Sequence, residues 1–133
     1  MRSKDRRVPF LLFVSLLPLF AGCGETVRSG KDWQVANNPD TFQFQVTDME
    51  NFSKNLEYAW TNSGTSATVN QACSITGGDA TLVIKDAAGA TVYARSLKEN
   101  GTDTTATGAS GSWLILVGLS KTDGTINFRV QKG

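Results

Sequence analysis

The sequence predicts an all-β fold, a single antiparallel β-sandwich of about seven or eight strands. Three observations carry that expectation. From Thr41 onward apolar and polar residues alternate with a period of two, the signature of half-buried strands. Short Gly-, Asp- and Asn-containing stretches separate the alternating runs. No segment after Cys23 sustains a helical period. Many short strands with short connections fit two packed antiparallel layers.

In chain order, Phe42, Phe44 and Val46 alternate with Gln43, Gln45 and Thr47. Leu56, Tyr58 and Trp60 alternate with Glu57, Ala59 and Thr61. Ala67, Val69, Gln71, Cys73 and Ile75 share one face of the next run, and Ala80, Leu82 and Ile84 follow. Val92 to Leu97 has mixed parity, so its inward side is not fixed. Trp113, Ile115, Val117 and Leu119 form a run with Leu114 and Leu116 on its second face, which predicts a central strand. Ile126, Phe128 and Val130 oppose Asn127, Arg129 and Gln131 in the last run. Asn62-Ser63-Gly64 and Gly77-Gly78 read as breaks. Asp86-Ala87-Ala88-Gly89 and Lys121-Thr122-Asp123-Gly124 read as short hairpin turns. Glu99 to Ser112 is rich in Gly, Thr and Ser and reads as a long loop or a weak edge strand.

The first 23 residues follow a different grammar. Arg2, Lys4, Arg6 and Arg7 precede an apolar run from Val8 to Phe20, interrupted by Pro9, Ser15 and Pro18. As a helix this run would reach roughly 20 Å, short of a hydrocarbon core about 30 Å thick. Its length suits a signal-peptide core of about 7–15 residues. Leu19-Phe20-Ala21-Gly22-Cys23 resembles the bacterial lipobox. Ala21 and Gly22 match it, while Phe20 stands where the family usually has Leu, Val or Ile. The resemblance implies cleavage between Gly22 and Cys23 and acylation of the Cys23 thiol. That would anchor the protein in a lipid bilayer of the cell envelope as a bacterial lipoprotein. Gly24, rather than Asp, implies the outer membrane over the inner by the same resemblance. An ordinary signal peptide cut after Cys23, and an uncut N-terminal helix, are the alternative readings. The expected organisation is a signal helix over 1–22, a lipidated N-terminus and flexible tether over 23–40, and the sandwich over 41–133.

Composition narrows the function. Removing residues 1–22 takes four basic residues and one acidic residue from totals of 13 and 12, leaving a net charge of −2. No basic footprint for nucleic acid is present. The chain has no histidine, which removes Ser-His-Asp and Cys-His catalysis and the commonest transition-metal ligand. Gly108-Ala109-Ser110-Gly111-Ser112 nearly matches a nucleophile elbow, but Ser110 lacks an ordinary base and the second glycine is displaced. Asp48, Glu50 and Glu57 are candidates for paired carboxylates, with solvated surface charge the simpler reading. Asp79, Asp86, Asp103 and Asp123 lie at turns, where Asp bonds its own backbone; a weak calcium site is the rival reading. Cys73 reads as a small buried hydrophobe; a redox or disulfide role, with Cys23 as partner if that cysteine is neither acylated nor removed, is the rival reading.

The stretches Ala80 to Gly89, Gly111 to Val117 and Gly124 to Val130 together resemble the jelly-roll-like sandwiches of bacterial secreted proteins, such as the pre-peptidase C-terminal domain. The resemblance implies a non-catalytic accessory domain. The expected function is therefore non-enzymatic, without a cofactor: a binding or structural module, with another envelope protein as partner. A carbohydrate- or small-ligand-binding sandwich is the alternative. Trp33, Trp60, Trp113, Tyr58 and Tyr93 are the aromatic candidates for a stacking face; Trp60 and Trp113 share parity with core positions, and Trp33 and Tyr93 are the ones expected to be exposed at a ligand surface.

Overall fold

The computed structural model describes residues 33–133. Gly22, Cys23 and the rest of the lipobox lie outside the described residues. Seven strands form: β1 (Trp33–Asn38), β2 (Thr41–Asn62), β3 (Ala67–Gln71), β4 (Ser74–Lys85), β5 (Thr91–Ser96), β6 (Gly101–Thr104) and β7 (Gly111–Lys132). Every pairing is antiparallel, and the described residues contain no helix. The sheet begins at Trp33, inside the segment that the sequence reads as a tether.

The architecture rests on β2 and β7, each of 22 residues. They pair along their whole length, from Thr41 opposite Gln131 to Asn62 opposite Gly111. A straight strand of that length would reach roughly 70 Å. The ribbon folds instead, because its register slips three times between Val46 and Lys54, and bulges bend and twist a strand pair. The first half of β2 and the second half of β7 join β1, β3 and β6 in one layer. The other halves join β4 and β5 in a second layer. One continuous sheet thus supplies both faces of a sandwich, with strands changing layer at a bulged corner.

The corner corrects two readings of the sequence. Lys121 to Gly124 is not a hairpin turn but an interior stretch of β7, and Gly77-Gly78 lies within β4 rather than before a new strand. Turn-like residues are needed there because the backbone turns sharply. Asp48, Asn51, Lys121, Gly78 and Gly124 all have positive φ. Backbone donors freed by the bulges find side-chain acceptors. Asn51 N donates to Asp123 Oδ1 at 2.7 Å and Lys121 N to Ser53 Oγ at 2.8 Å. Thr122 is buried, yet its hydroxyl donates to the Asp79 carbonyl at 2.7 Å. A buried polar group is tolerated when it is bonded in this way.

The core follows the alternation seen in the sequence. Phe42, Phe44, Val46, Ile126, Phe128 and Val130 are buried from the first layer, and Leu82, Ile84, Trp113, Ile115 and Val117 from the second. Phe44 stacks on Phe128 at 5.2 Å, and Trp60 meets Trp113 edge to face at 6.0 Å. Both indole N–H groups are satisfied, by the Asn38 carbonyl at 2.9 Å and the Ala109 carbonyl at 2.7 Å. The mixed parity of residues 92–97 has a local cause. Ile84 pairs with Tyr93 but Lys85 with Thr91, so Val92 is an extra residue and both Val92 and Tyr93 face inward.

Asp86 to Gly89 forms the expected hairpin. The Asp86 carboxylate accepts the N–H groups of Ala88, Ala90 and Ala109 at 2.8–2.9 Å. These bonds, led by Ala109 and Ala90, hold its carboxyl below the usual carboxylate range. The far side of the sandwich is strapped by the segment after β6. Thr105 N donates to the Ala67 carbonyl and Ala106 N to the Val92 carbonyl, linking β3 to β5.

The corner generates a stability prediction. A Cβ at Gly78 would overlap the Lys121 carbonyl oxygen, whereas Gly89 has open space; both have positive φ. Gly89→Ala should cost roughly 1–2 kcal/mol from its backbone conformation. Gly78→Ala should cost more, because the overlap adds to the same conformational penalty. Urea unfolding midpoints of the two variants check this ranking, and equal midpoints would contradict the corner geometry.

Candidate functional site

The strap closes one side of the sandwich; the opposite side is only partly closed. There β1 is the edge of the first layer and the second half of β2 is the edge of the second. At one end the two edges are tied together. Asn37 Nδ2 donates to the Ala59 carbonyl at 2.9 Å, and Asp40 N to the Thr61 carbonyl at 2.9 Å. The Asp40 carboxylate accepts Ser63 N and Oγ at 2.7 and 2.9 Å. The backbone bond foremost lowers the Asp40 pKa.

Toward the start of β1 the tie is aromatic rather than hydrogen-bonded. Trp33 meets Phe44 and Phe52 edge to face, at 5.7 and 5.9 Å. The space between the edges is a groove of about 410 Å³ lined by Trp33, Phe52, Lys54, Leu56 and Tyr58. Tyr58 is held from behind by Phe42 at 5.4 Å and Phe44 at 6.0 Å. Desolvation raises the Tyr58 pKa, so its phenol stays protonated at neutral pH. Aromatic rings, one phenol and one ammonium group suit the burial of an apolar or ring-shaped group with a polar end.

The strand beside the groove is itself unusual. All six residues of β1 are exposed. Its sequence, Trp-Gln-Val-Ala-Asn-Asn, carries no charge and no proline, the devices that normally blunt a sheet edge. Trp33 and Val35, 40% and 36% exposed, are the large hydrophobic residues that stand out to solvent among the described residues. Both pair with buried partners on β2, Val46 and Phe44. Their side chains therefore belong to the core-facing side of an edge that the second layer fails to cover.

Of the residues expected at a ligand surface, Trp33 lines this groove and Tyr93 does not. Tyr93 is buried, and its hydroxyl donates to Gln71 Oε1 at 2.8 Å. The bulge at Val92 turns it into the core, which corrects its expected exposure. Phe52, Lys54 and Leu56 were missed as site residues, and Tyr58, one of the aromatic candidates for a stacking face, was ranked below Trp33 and Tyr93. Their signal is parity: with Trp60 they form one i, i+2 series, too long for a single layer to cover.

The other candidates are dispersed. Cys73 is half-buried, its Sγ 3.4 Å from Asn127 N, and burial pushes its thiol pKa up. Ser110 sits at a bend in the stretch leading into β7. Asp48 and Glu50 lie at the corner near Asp123, while Glu57 pairs with Leu116 on the outer face of the second layer. Asp79 pairs with Lys98, Asp103 with Arg95, and Asp123 accepts from Asn51. Among the described residues no group of three or more potential ligands could hold a metal ion.

No protein-family model matches the chain. No curated protein matches it either. Among solved structures, the chain is similar to one titled "Structure of infectious bursal disease virus Gt strain", at 17% identity and a TM-score of 0.26. That likeness covers 90% of this chain and 34% of the viral chain, and at this TM-score it carries no argument.

Proposed function

We propose that the protein is a lipid-anchored envelope binding module that captures an extended segment of another envelope protein along β1. The observation that carries this reading is the coincidence of an uncharged edge strand, exposed at every residue, with an aromatic groove beside it. An extended peptide can add to such an edge through main-chain hydrogen bonds, with alternate side chains entering a neighbouring pocket. Trp33 and Val35 supply the apolar surface, and the Tyr58 hydroxyl and Lys54 ammonium group supply polar selectivity. The resemblance to non-catalytic accessory domains supports the same class of role.

Acylated Cys23 supplies the anchor in this reading. Two or more acyl chains hold a protein firmly to a bilayer, whereas one is marginal. Nine residues lie between Cys23 and Trp33, a fully extended reach of roughly 35 Å over ten Cα-to-Cα steps. The binding edge would therefore work close to the membrane surface.

Two experiments test the proposal. Intact-mass analysis of the processed protein should find Cys23 as the N-terminal residue carrying fatty acyl mass, and Cys23→Ser should abolish that mass. An unmodified thiol at position 23 would contradict the anchor. For the binding edge, a random library of extended peptides and a glycan array are screened in parallel against the full chain in detergent. Trp60 and Trp113 are buried, so Trp33 emission reports groove occupancy. Peptide binding should shift this emission in the parent chain, and the affinity measured by calorimetry should weaken about tenfold or more in Trp33→Ala and Val35→Pro. Glycan binding with no peptide binding would replace this reading with the carbohydrate one. Peptide binding indifferent to both substitutions would overturn the β1 site.

A further inference from the structure

The two outer faces of the sandwich differ in chemistry. Across the first layer, cross-strand rows read Gln43, Arg129, Asn70 and Thr102, then Thr41, Gln131, Thr68 and Thr104. Such a polar face is what water requires of an antiparallel sheet packed on one side only. The second layer departs from this pattern. One outer row reads Glu57, Leu116, Val83 and Ala94, and the next reads Ala59, Leu114 and Lys85. Leu114, Leu116 and Val83 sit half-buried at its centre. Gly118 follows Leu116 on the same face and leaves a shallow depression of about 310 Å³ beside Leu116 and Val83. Nothing among the described residues covers this aliphatic patch.

The charges around the patch indicate what does. β7 lies between β2 and β4, so Glu57 and Lys85 flank the point midway between Leu116 and Leu114 from opposite sides, one in each row. Neither makes an ion pair among the described residues. A two-fold axis lying in the plane of this face, through that midpoint, sets Glu57 of one copy against Lys85 of the other, and the reverse. A surface with that property is complementary to itself, as an isologous dimer interface must be.

We infer that the outer face of the second layer is a homodimer interface, with Leu114, Leu116 and Val83 at its centre and two symmetric Glu57–Lys85 pairs at its rim. The face is four strands wide and about nine residues long, roughly 450 Å² per copy from strand spacing and rise. A stable interface of standard size buries about 800 Å² per partner. The dimer is accordingly weak in dilute solution and favoured where copies are concentrated, as on a membrane. It uses neither β1 nor the aromatic groove, so it stands apart from the proposed binding site.

Carbodiimide cross-linking of the full chain in membranes tests it, with isotopically light and heavy copies mixed so that links between copies are distinguishable. A link between residue 57 of one copy and residue 85 of the other is expected. Dimer formation in membranes, read by energy transfer between labelled copies, should fall about tenfold in Glu57→Lys alone and in Lys85→Glu alone, because like charges then face each other. The double variant, Glu57→Lys with Lys85→Glu, should restore it. Absence of mixed-isotope dimers, or dimers indifferent to the single charge reversals, or failure of the double variant to recover, would each overturn the interface.

Discussion

The fold depends on one constraint: a pair of long strands must bend while staying paired. β2 and β7 are the strands shared by both layers, and every other strand attaches to one of them or to a strand that does. A straight ribbon would leave Phe44 and Phe128 on one surface and Trp60 and Trp113 far along it, with no second layer to bury either pair. Bending brings the two aromatic pairs into one core. The bend is held by local chemistry: positive φ at Lys121 and Gly124, and the side chains of Ser53, Thr122 and Asp123 accepting or bridging where ladder bonds are lost.

That corner also positions the surfaces. Phe52 lies at the end of the bulged stretch and so reaches the rim of the sandwich, where Trp33 meets it. The strap of residues 105–109 bonds to strands of both layers on the far side, and among the described residues no equivalent segment covers the near side. A groove at the edge of β1 follows from this asymmetry rather than from any dedicated loop. In the second layer, β7 is a central strand with aliphatic residues on both faces, which leaves Leu114 and Leu116 looking outward.

Much of this was legible in the sequence. Period-two alternation marked Phe42 to Val46, Trp113 to Leu119 and Ile126 to Val130 as strands with the correct faces inward, because side-chain direction in a strand is fixed by parity. The corner was not legible, because a bulge and a hairpin turn demand the same residues. Gly78 and Gly124 provide positive φ and Asp123 a side-chain acceptor in either setting, and only the pairing partner distinguishes them. Tyr93 failed for a related reason: one inserted residue, Val92, reverses parity locally. Trp33 was picked out as an exposed aromatic, but its neighbours Phe52 and Tyr58 come from the far side of the corner, and no local pattern records that encounter.

Native-state hydrogen exchange measured along β2 and β7 tests the shared ribbon most directly. Amides on either side of the corner, in residues 42–46 with 126–130 and in residues 56–60 with 113–117, should be the slowest in the domain. They should also open with one common free energy, equal to that of global unfolding. Two distinct opening free energies, with one half of the ribbon exchanging while the other stays protected, would contradict a single folded ribbon as the basis of the structure.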